Sequence, residues 1–417
     1  MKLKKFYLRY YPPGIAMCFT KSHVDEVKVI SLHDLTTETN VEKLAEKIVE
    51  SEPLITSNVI PQFIDLLIKL QNKLKEPIKK KFYIHKTFNT HVLPITNVCF
   101  DKSGQRFVTG SYDRTCRMWN VEAGVEENIL RGHENVVFAV NFNTPKCDRV
   151  VTGSFDKTAK VWNAASGALL RTFHGHANEI VATEFNIHND DEIASASMDG
   201  TSRIFRVETG QETHNLAGHE DAIISARFDN DGNLLLTGSF DGTAKVWDLR
   251  SGRDVITFQG HTGEISNAIW NVNCKLLATG SLDSTARIWD IRQQTESIFT
   301  IDEHTDEVLD VSFDYSGQKL VTASSDCTAK LWNITGNLEK ISTLIGHTEE
   351  ISKCIFSPPG LLVLTASPDR TARLWTLDGT CSQVLSGHSA EIFSCGFNYI
   401  GDTIVTASKD NSCKIWR

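Results

Sequence analysis

"RFVTGSYDRTCRMW", Arg106 to Trp119, decides the fold. An apolar, β-rich run leads into Ser111-Tyr112-Asp113, and a second run ends on Trp119. Two short runs around a polar turn are a hairpin signature. The stretch returns along the chain. Its turn aspartate recurs as Asp113, Asp156, Asp199, Asp241, Asp283, Asp326, Asp369 and Asp410. Two residues earlier there is always a serine: Ser111, Ser154, Ser197, Ser239, Ser281, Ser324, Ser367 and Ser408. Six residues later there is an aromatic: Trp119, Trp162, Phe205, Trp247, Trp289, Trp332, Trp375 and Trp416. A histidine precedes each aspartate by 22 or 23 residues: His91, His133, His176, His219, His261, His304, His347 and His388. The histidines are 41 to 43 residues apart, a period that belongs to stacked or ring-forming repeats. Each period has room for four short strands.

Gly-His, Ser-x-Asp and Trp-Asp or Trp-Asn at this spacing resemble the WD-repeat β-propeller family, eight times over residues 82–417. The resemblance implies a mainly β fold: an eight-bladed propeller behind a small N-terminal α+β domain, residues 1–81. It also implies a buried hydrogen-bond chain in each blade, as in His133, Ser154, Asp156, Trp162 and in His261, Ser281, Asp283, Trp289. A buried polar chain needs every member paired. Phe205 has no indole N–H, so the third blade is expected to lack one link. Glu303 and Thr90 replace the glycine before their histidines, and Pro368 precedes a turn aspartate.

Eight Ser/His/Asp sets at equal spacing argue against a hydrolase, which needs one set in a cleft. No P-loop, GxGxxG or metal-ligand cluster stands out, so no enzyme, cofactor or metal is expected. A base four residues after each turn aspartate reads as a long stem lying along the sheet with its charge at the rim. The small residue before each base, including Cys116 and Cys413, reads as packing. The ten cysteines form no CxxC pair, which suits a reducing compartment. The chain carries a formal charge of −9; residues 1–81 carry +4, which leaves −13 on the remainder. An acidic body excludes general nucleic-acid binding. No apolar run approaches a membrane span, and the N-terminus does not fit a secretory leader.

Two variable columns point to a partner. The residue between Ser and Asp reads Tyr112, Phe155, Met198, Phe240 and Leu282 on five consecutive blades. Turn tips are normally polar, so this arc suggests protein contact. Three residues after the histidine come Glu179, Glu264, Glu307, Glu350 and Glu391. They should lie at the mouth of the central channel and favour a basic segment.

Residues 1–81 lie outside the repeat. "KKFYLRYY" and "DEVKVISL" read as two strands. Residues 39–51 and 60–75 read as helices, the second with a Phe63, Leu67, Leu70, Leu74 stripe and Pro61 in its first turn. The absence of a heptad run argues against a G-protein β subunit. "LRYYPPGI" (8–15), this small unit, eight repeats and the ending "KDNSCKIWR" together resemble the WD-repeat dynein assembly factors. That resemblance implies a monomeric adaptor in the cytoplasm, basal body region and cilium or flagellum. Its partners would be outer dynein arm components and intraflagellar transport complex B. An alternative is a substrate receptor of a cullin-type ubiquitin ligase, which Trp247-Asp248-Leu249-Arg250 and Trp289-Asp290-Ile291-Arg292 would suit.

"KDNSCKIWR", Lys409 to Arg417, supplies only the third strand of its blade. The strand form that precedes every other histidine also occurs at 82–88, before the first blade. Pairing of 82–88 with the final strand is expected to close the ring.

Overall fold

The computed structural model describes residues 2–10, 13–21, 24–32, 35–36, 39–52, 55–56, 58–75, 81–293 and 296–417. These residues form eight four-stranded antiparallel sheets and one three-stranded sheet. The blades run in chain order: 95–131, 137–173, 180–217, 223–258, 265–301, 308–345, 353–386 and 392–416. Each inner strand lies beside the next, and the eighth, Ile392–Phe397, lies beside the first, Ile95–Phe100. The ring is closed.

Side chains stitch the inner strands together around the channel. Thr96 Oγ1 donates to the Val137 carbonyl at 2.6 Å, and Asn141 Nδ2 to the Thr183 carbonyl at 2.8 Å. Glu184 accepts from the Phe228 N–H at 2.6 Å and faces Arg227 at 3.2 Å. The Trp270 indole donates to the Arg227 carbonyl at 3.1 Å. Asn267 donates to Asp310 at 2.7 Å, and Asp310 accepts from the Cys354 N–H at 2.9 Å. Lys353 donates to Ser394 at 3.1 Å, and Ser394 to Asn97 at 3.0 Å. Every junction between neighbouring blades carries such a bond.

The aromatic of each third strand packs against the preceding blade. Trp162 sits with Val108, Met118 and Leu130; Trp289 sits with Leu236, Val246 and Phe258. Removing one such ring costs about 3–5 kcal/mol. The eighth blade borrows its outer strand from β4 (Ile84–Phe88), which follows three earlier strands named below. Cys413 pairs with Phe88, Lys414 with Thr87, Ile415 with Lys86 and Trp416 with Ile84. Phe82, 1% exposed, continues the clasp by hydrogen bonding to Gln383 on the seventh blade.

The polar relay differs from the expected one in a single member. In the second blade His133 Nδ1 lies 2.7 Å from Asp156, and His133 Nε2 lies 2.7 Å from Thr152, not from Ser154. The Trp162 indole donates to the same Thr152 hydroxyl at 2.9 Å. Thr279, not Ser281, likewise joins His261 to Trp289. Ser154 and Ser281 instead accept the backbone N–H of the turn aspartates Asp156 and Asp283, at 3.0 and 3.1 Å. They shape the turn; the threonine two residues earlier is the junction. In the third blade Ser195 takes the threonine's place and bonds His176 at 2.8 Å, with Phe205 offering no N–H. The residue after each turn aspartate is left-handed in every blade, as in Arg114 (φ 68°) and Asn411 (φ 64°). Only two of the eight are glycine, Gly200 and Gly242.

The N-terminal sheet has three strands where sequence patterns show two: β1 (Lys2–Arg9), β2 (Gly14–Lys21) and β3 (Val24–Ser31). The additional strand, β2, begins at Gly14, directly after Pro12-Pro13, a sequence that favours a break in a strand. Its Ile15 and Met17 are fully buried. Helices α1 (Val41–Ser51) and α2 (Ile60–Lys75) cover that face, and the Phe63, Leu67, Leu70, Leu74 stripe is buried. The Asn40 side chain caps α1 by accepting from the Lys43 N–H at 3.0 Å.

Tyr315 and Tyr399 of the propeller pack against this small core. Both lie in turns between first and second strands. Other turns at the same end also meet the unit. Ser31 shares a cavity with Asn230 and Cys274, and Leu74 shares one with Tyr315 and Gly360. These contacts and shared cavities sit on blades 4 to 8, at the end of the ring that carries the turns between first and second strands.

Candidate partner-binding face

At the opposite end lie the histidine loops and the turns between second and third strands. One backbone bond per blade brings the two variable columns together. The Phe155 N–H donates to the Val136 carbonyl, Met198 to Glu179, Phe240 to Ala222 and Leu282 to Glu264, each at 2.9 Å. Tyr112 bonds Pro94 at 3.0 Å and Lys409 bonds Glu391 at 2.8 Å. Pro368 has no N–H to give, so the seventh blade lacks the bond to Glu350. Turn tip and loop glutamate are thus neighbours by construction of the backbone.

Tyr112 and Met198 are exposed, at 41% and 36%; Phe155, Phe240 and Leu282 are half-buried. Phe155 stacks on Phe138, with ring centroids 5.5 Å apart and planes at 20°. Phe138 stands at the channel mouth, 37% exposed, and lines the channel with Val181, Ile224 and Phe393. The loop ahead of the first blade adds Val92 and Leu93, 73% and 46% exposed. These three residues escape a reading of fixed columns, because each column holds a large apolar side chain in only some blades.

Glu264 and Glu350 are exposed; Glu179, Glu307 and Glu391 are half-buried. Glu391 is neutralised: Lys409 stands 2.9 Å away, and that hydrogen bond lowers its carboxyl below the ordinary range. Further carboxylates share the face: Glu220, Asp221, Asp306 and Glu349, all exposed. Sequence columns missed them because they sit one or two residues after the histidine, outside the column followed.

The family model described as "IFT122 first beta-propeller" matches residues 94–376, and that of the "WD domain, G-beta repeat" matches residues 379–417. The chain belongs to this family of WD-repeat propellers. It is 49% identical over 150 residues to the zebrafish (Danio rerio) "Dynein assembly factor with WD repeat domains 1" and 46% identical over 150 residues to the human protein of that name. Each match spans 36% of this chain and 36% of the curated relative. Among solved structures, the computationally designed Ika8 protein aligns with a TM-score of 0.69 at 28% identity. That alignment covers 78% of this chain and 96% of the designed one.

In this WD-repeat propeller the histidine–aspartate pairs are sealed. The His133 side chain has no exposure, and its partner Asp156 has 8%. Burial lowers the His133, His176, His219 and His304 imidazoles below their ordinary value, against the pull of their aspartates. Neutral imidazole fixes the relay's direction. The Trp162 N–H donates to Thr152, the Thr152 O–H to His133 Nε2, and His133 Nδ1–H to Asp156. Burial alone would raise Asp156, but the bonds from His133 and Thr158 hold it well below the usual carboxylate range. The set holds a turn in place and presents no open nucleophile. Burial also pushes the Cys116 and Cys413 thiols up, as packing residues require.

Of the two Trp-Asp-x-Arg elements, the second is already engaged. Arg292 binds its own Asp290 through Nε and Nη2. Arg250 reaches only Asn233, at 3.4 Å.

Proposed function

We propose that this propeller is a non-enzymatic adaptor in axonemal dynein assembly, linking outer-arm dynein cargo to intraflagellar transport complex B. It would act as a monomer in the cytoplasm, at the basal body region and in the cilium or flagellum. The dynein half of the reading is supported by the likeness to relatives named dynein assembly factors. The adaptor half is supported by one observation: exposed apolar side chains, Tyr112 and Met198 on turn tips with Val92, Leu93 and Phe138 on the same face, gather at one end of a rigid ring. Rigid scaffolds with such tips bind proteins, because little order is lost on docking.

The test is affinity purification of the tagged chain from ciliated cells, with identification of what it holds. Outer-arm dynein and complex B subunits are expected together. Absence of both overturns the proposal. The ubiquitin-ligase alternative rests on the first Trp-Asp-x-Arg element, whose Arg250 is not paired with its own aspartate as Arg292 is.

A further inference from the structure

The open face is divided into two sectors. Val92, Leu93, Tyr112, Phe138 and Met198 are exposed large apolar residues, and all five belong to blades 1 to 3. Glu220, Asp221, Glu264, Asp306, Glu307 and Glu350 belong to blades 4 to 7. Among the described residues none of these six has a cation within 4.0 Å, whereas Glu391 is paired with Lys409. The tip residue after each turn aspartate follows the division only in part. It is Arg114 and Lys157 on blades 1 and 2, and Arg370 on blade 7. On blades 3 to 6 it is Gly200, Gly242, Ser284 and Cys327, none of them basic. Carboxylates are therefore densest over blades 4 to 7, with Glu134 and Glu179 on blades 2 and 3, while the exposed large apolar side chains are confined to blades 1 to 3. The N-terminal unit packs on turns at the far end of the ring, away from these loops and turn tips.

We infer that this face receives a partner polypeptide segment carrying an apolar or aromatic anchor and, next to it, a run of lysines or arginines. The anchor lies over blades 1 to 3, against Tyr112 and the Phe138–Phe155 stack. The basic run crosses the mouth to the carboxylates of blades 4 to 7. Two matched halves set the direction of the segment as well as its composition. Charge complementarity across a mouth raises the association rate and excludes acidic segments, and the buried anchor slows release. The inference rests on the adaptor reading only in treating this end as the docking face.

The probe is a fluorescein-labelled synthetic peptide with one tryptophan followed by four lysines in a Gly/Ser background. Its binding to the full chain is followed by anisotropy. Two control peptides replace the tryptophan by serine or the lysines by glutamate. The parent peptide is expected to bind, and each control to bind about tenfold weaker or worse. E264K/E307K is expected to weaken the parent peptide by a similar factor and flatten its salt dependence. Val92→Ser/Tyr112→Ser should abolish the advantage of tryptophan over serine while leaving the lysine dependence. Glu127→Lys, on an outer strand away from the face, should change nothing. All five sites are at least partly exposed, and melting curves matching the parent confirm that folding is intact.

Equal binding of the lysine and glutamate peptides overturns the inference, as does unchanged affinity in E264K/E307K. If the probe behaves as expected but the chain captures no dynein or transport subunits, the adaptor reading falls and this one stands. If capture is undiminished in E264K/E307K and the probe is indifferent to it, this inference falls and the adaptor reading stands.

Discussion

Tyr83 and Arg417 exchange two backbone hydrogen bonds, Tyr83 N–H to the Arg417 carbonyl at 2.8 Å and Arg417 N–H to the Tyr83 carbonyl at 2.9 Å. Residues near opposite ends of the repeat region thus complete one sheet. Cys413, Ile415 and Trp416 are buried there, at 0–3% exposure. Deleting Cys413–Arg417 removes that packing and bares two strand edges. A loss of at least about 5 kcal/mol is expected, seen as a lowered melting temperature by circular dichroism. A deletion variant that melts with the parent sinks the closure.

The relay makes a graded prediction. Thr152→Val keeps the shape of the side chain but leaves the Trp162 N–H and His133 Nε2 without their partner. The cost should be about 2–4 kcal/mol in urea unfolding. Ser195→Ala in the third blade strands only His176, because Phe205 asks nothing of it, and should cost about 1–2 kcal/mol. Ser154→Ala loses a bond to a turn N–H and should also fall below Thr152→Val. Equal costs for Thr152→Val and Ser154→Ala would restore the serine to the junction.

Acid should weaken the ring in two stages. The four lowered histidines take up a proton later in the folded chain than in the unfolded one. Their contribution is intact above the ordinary 6.5 and is lost below it. The turn aspartates are lowered too, against burial, by bonds from histidine and from Thr or Ser; Asp199 falls to about 2. Their contribution is intact above the ordinary 3.8 and drains as pH falls toward 2. Glu184 and Asp310, raised by burial in the channel wall, act with the opposite sign but are two groups against twelve. Urea midpoints should fall from pH 7.5 to 5.5 and again as pH is lowered from the ordinary 3.8 toward 2. Equal midpoints at 7.5 and 5.5 would exclude the histidine stage.

The propeller was legible because each blade solves the same problem with the same side chains. His133, Asp156 and Trp162 announce themselves by recurring. The misplaced member shows the limit of spacing. Ser154 recurs in all eight blades and Thr152 in seven, both point to one face of their strand, and only the depth of the Trp162 ring selects Thr152. The binding face was half legible. Its backbone bonds tie fixed columns, which spacing can find. Phe138, Val92 and the Asp306 and Glu349 carboxylates vary from blade to blade and carry no period. β2 was hidden by composition: Gly14 after two prolines reads as a break, and buried contact with α2 decides otherwise.

Tyr315 and Tyr399 hold the N-terminal unit from turns on blades 6 and 8, so they should control its order without touching the ring. Y315A/Y399A removes two rings from the edge of the Phe63–Leu67–Leu70 core. Amide hydrogen exchange should then quicken in α2 (Ile60–Lys75) while the inner strands keep their protection, because their bonds lie wholly within the propeller. The melting temperature of the ring should stay within a few degrees of the parent, since neither tyrosine belongs to an inter-blade core cluster. Unchanged exchange in α2 would mean that the unit is held by its other contacts, at Ser31 and Leu74. Quickened exchange in the inner strands as well would mean that the unit braces the ring.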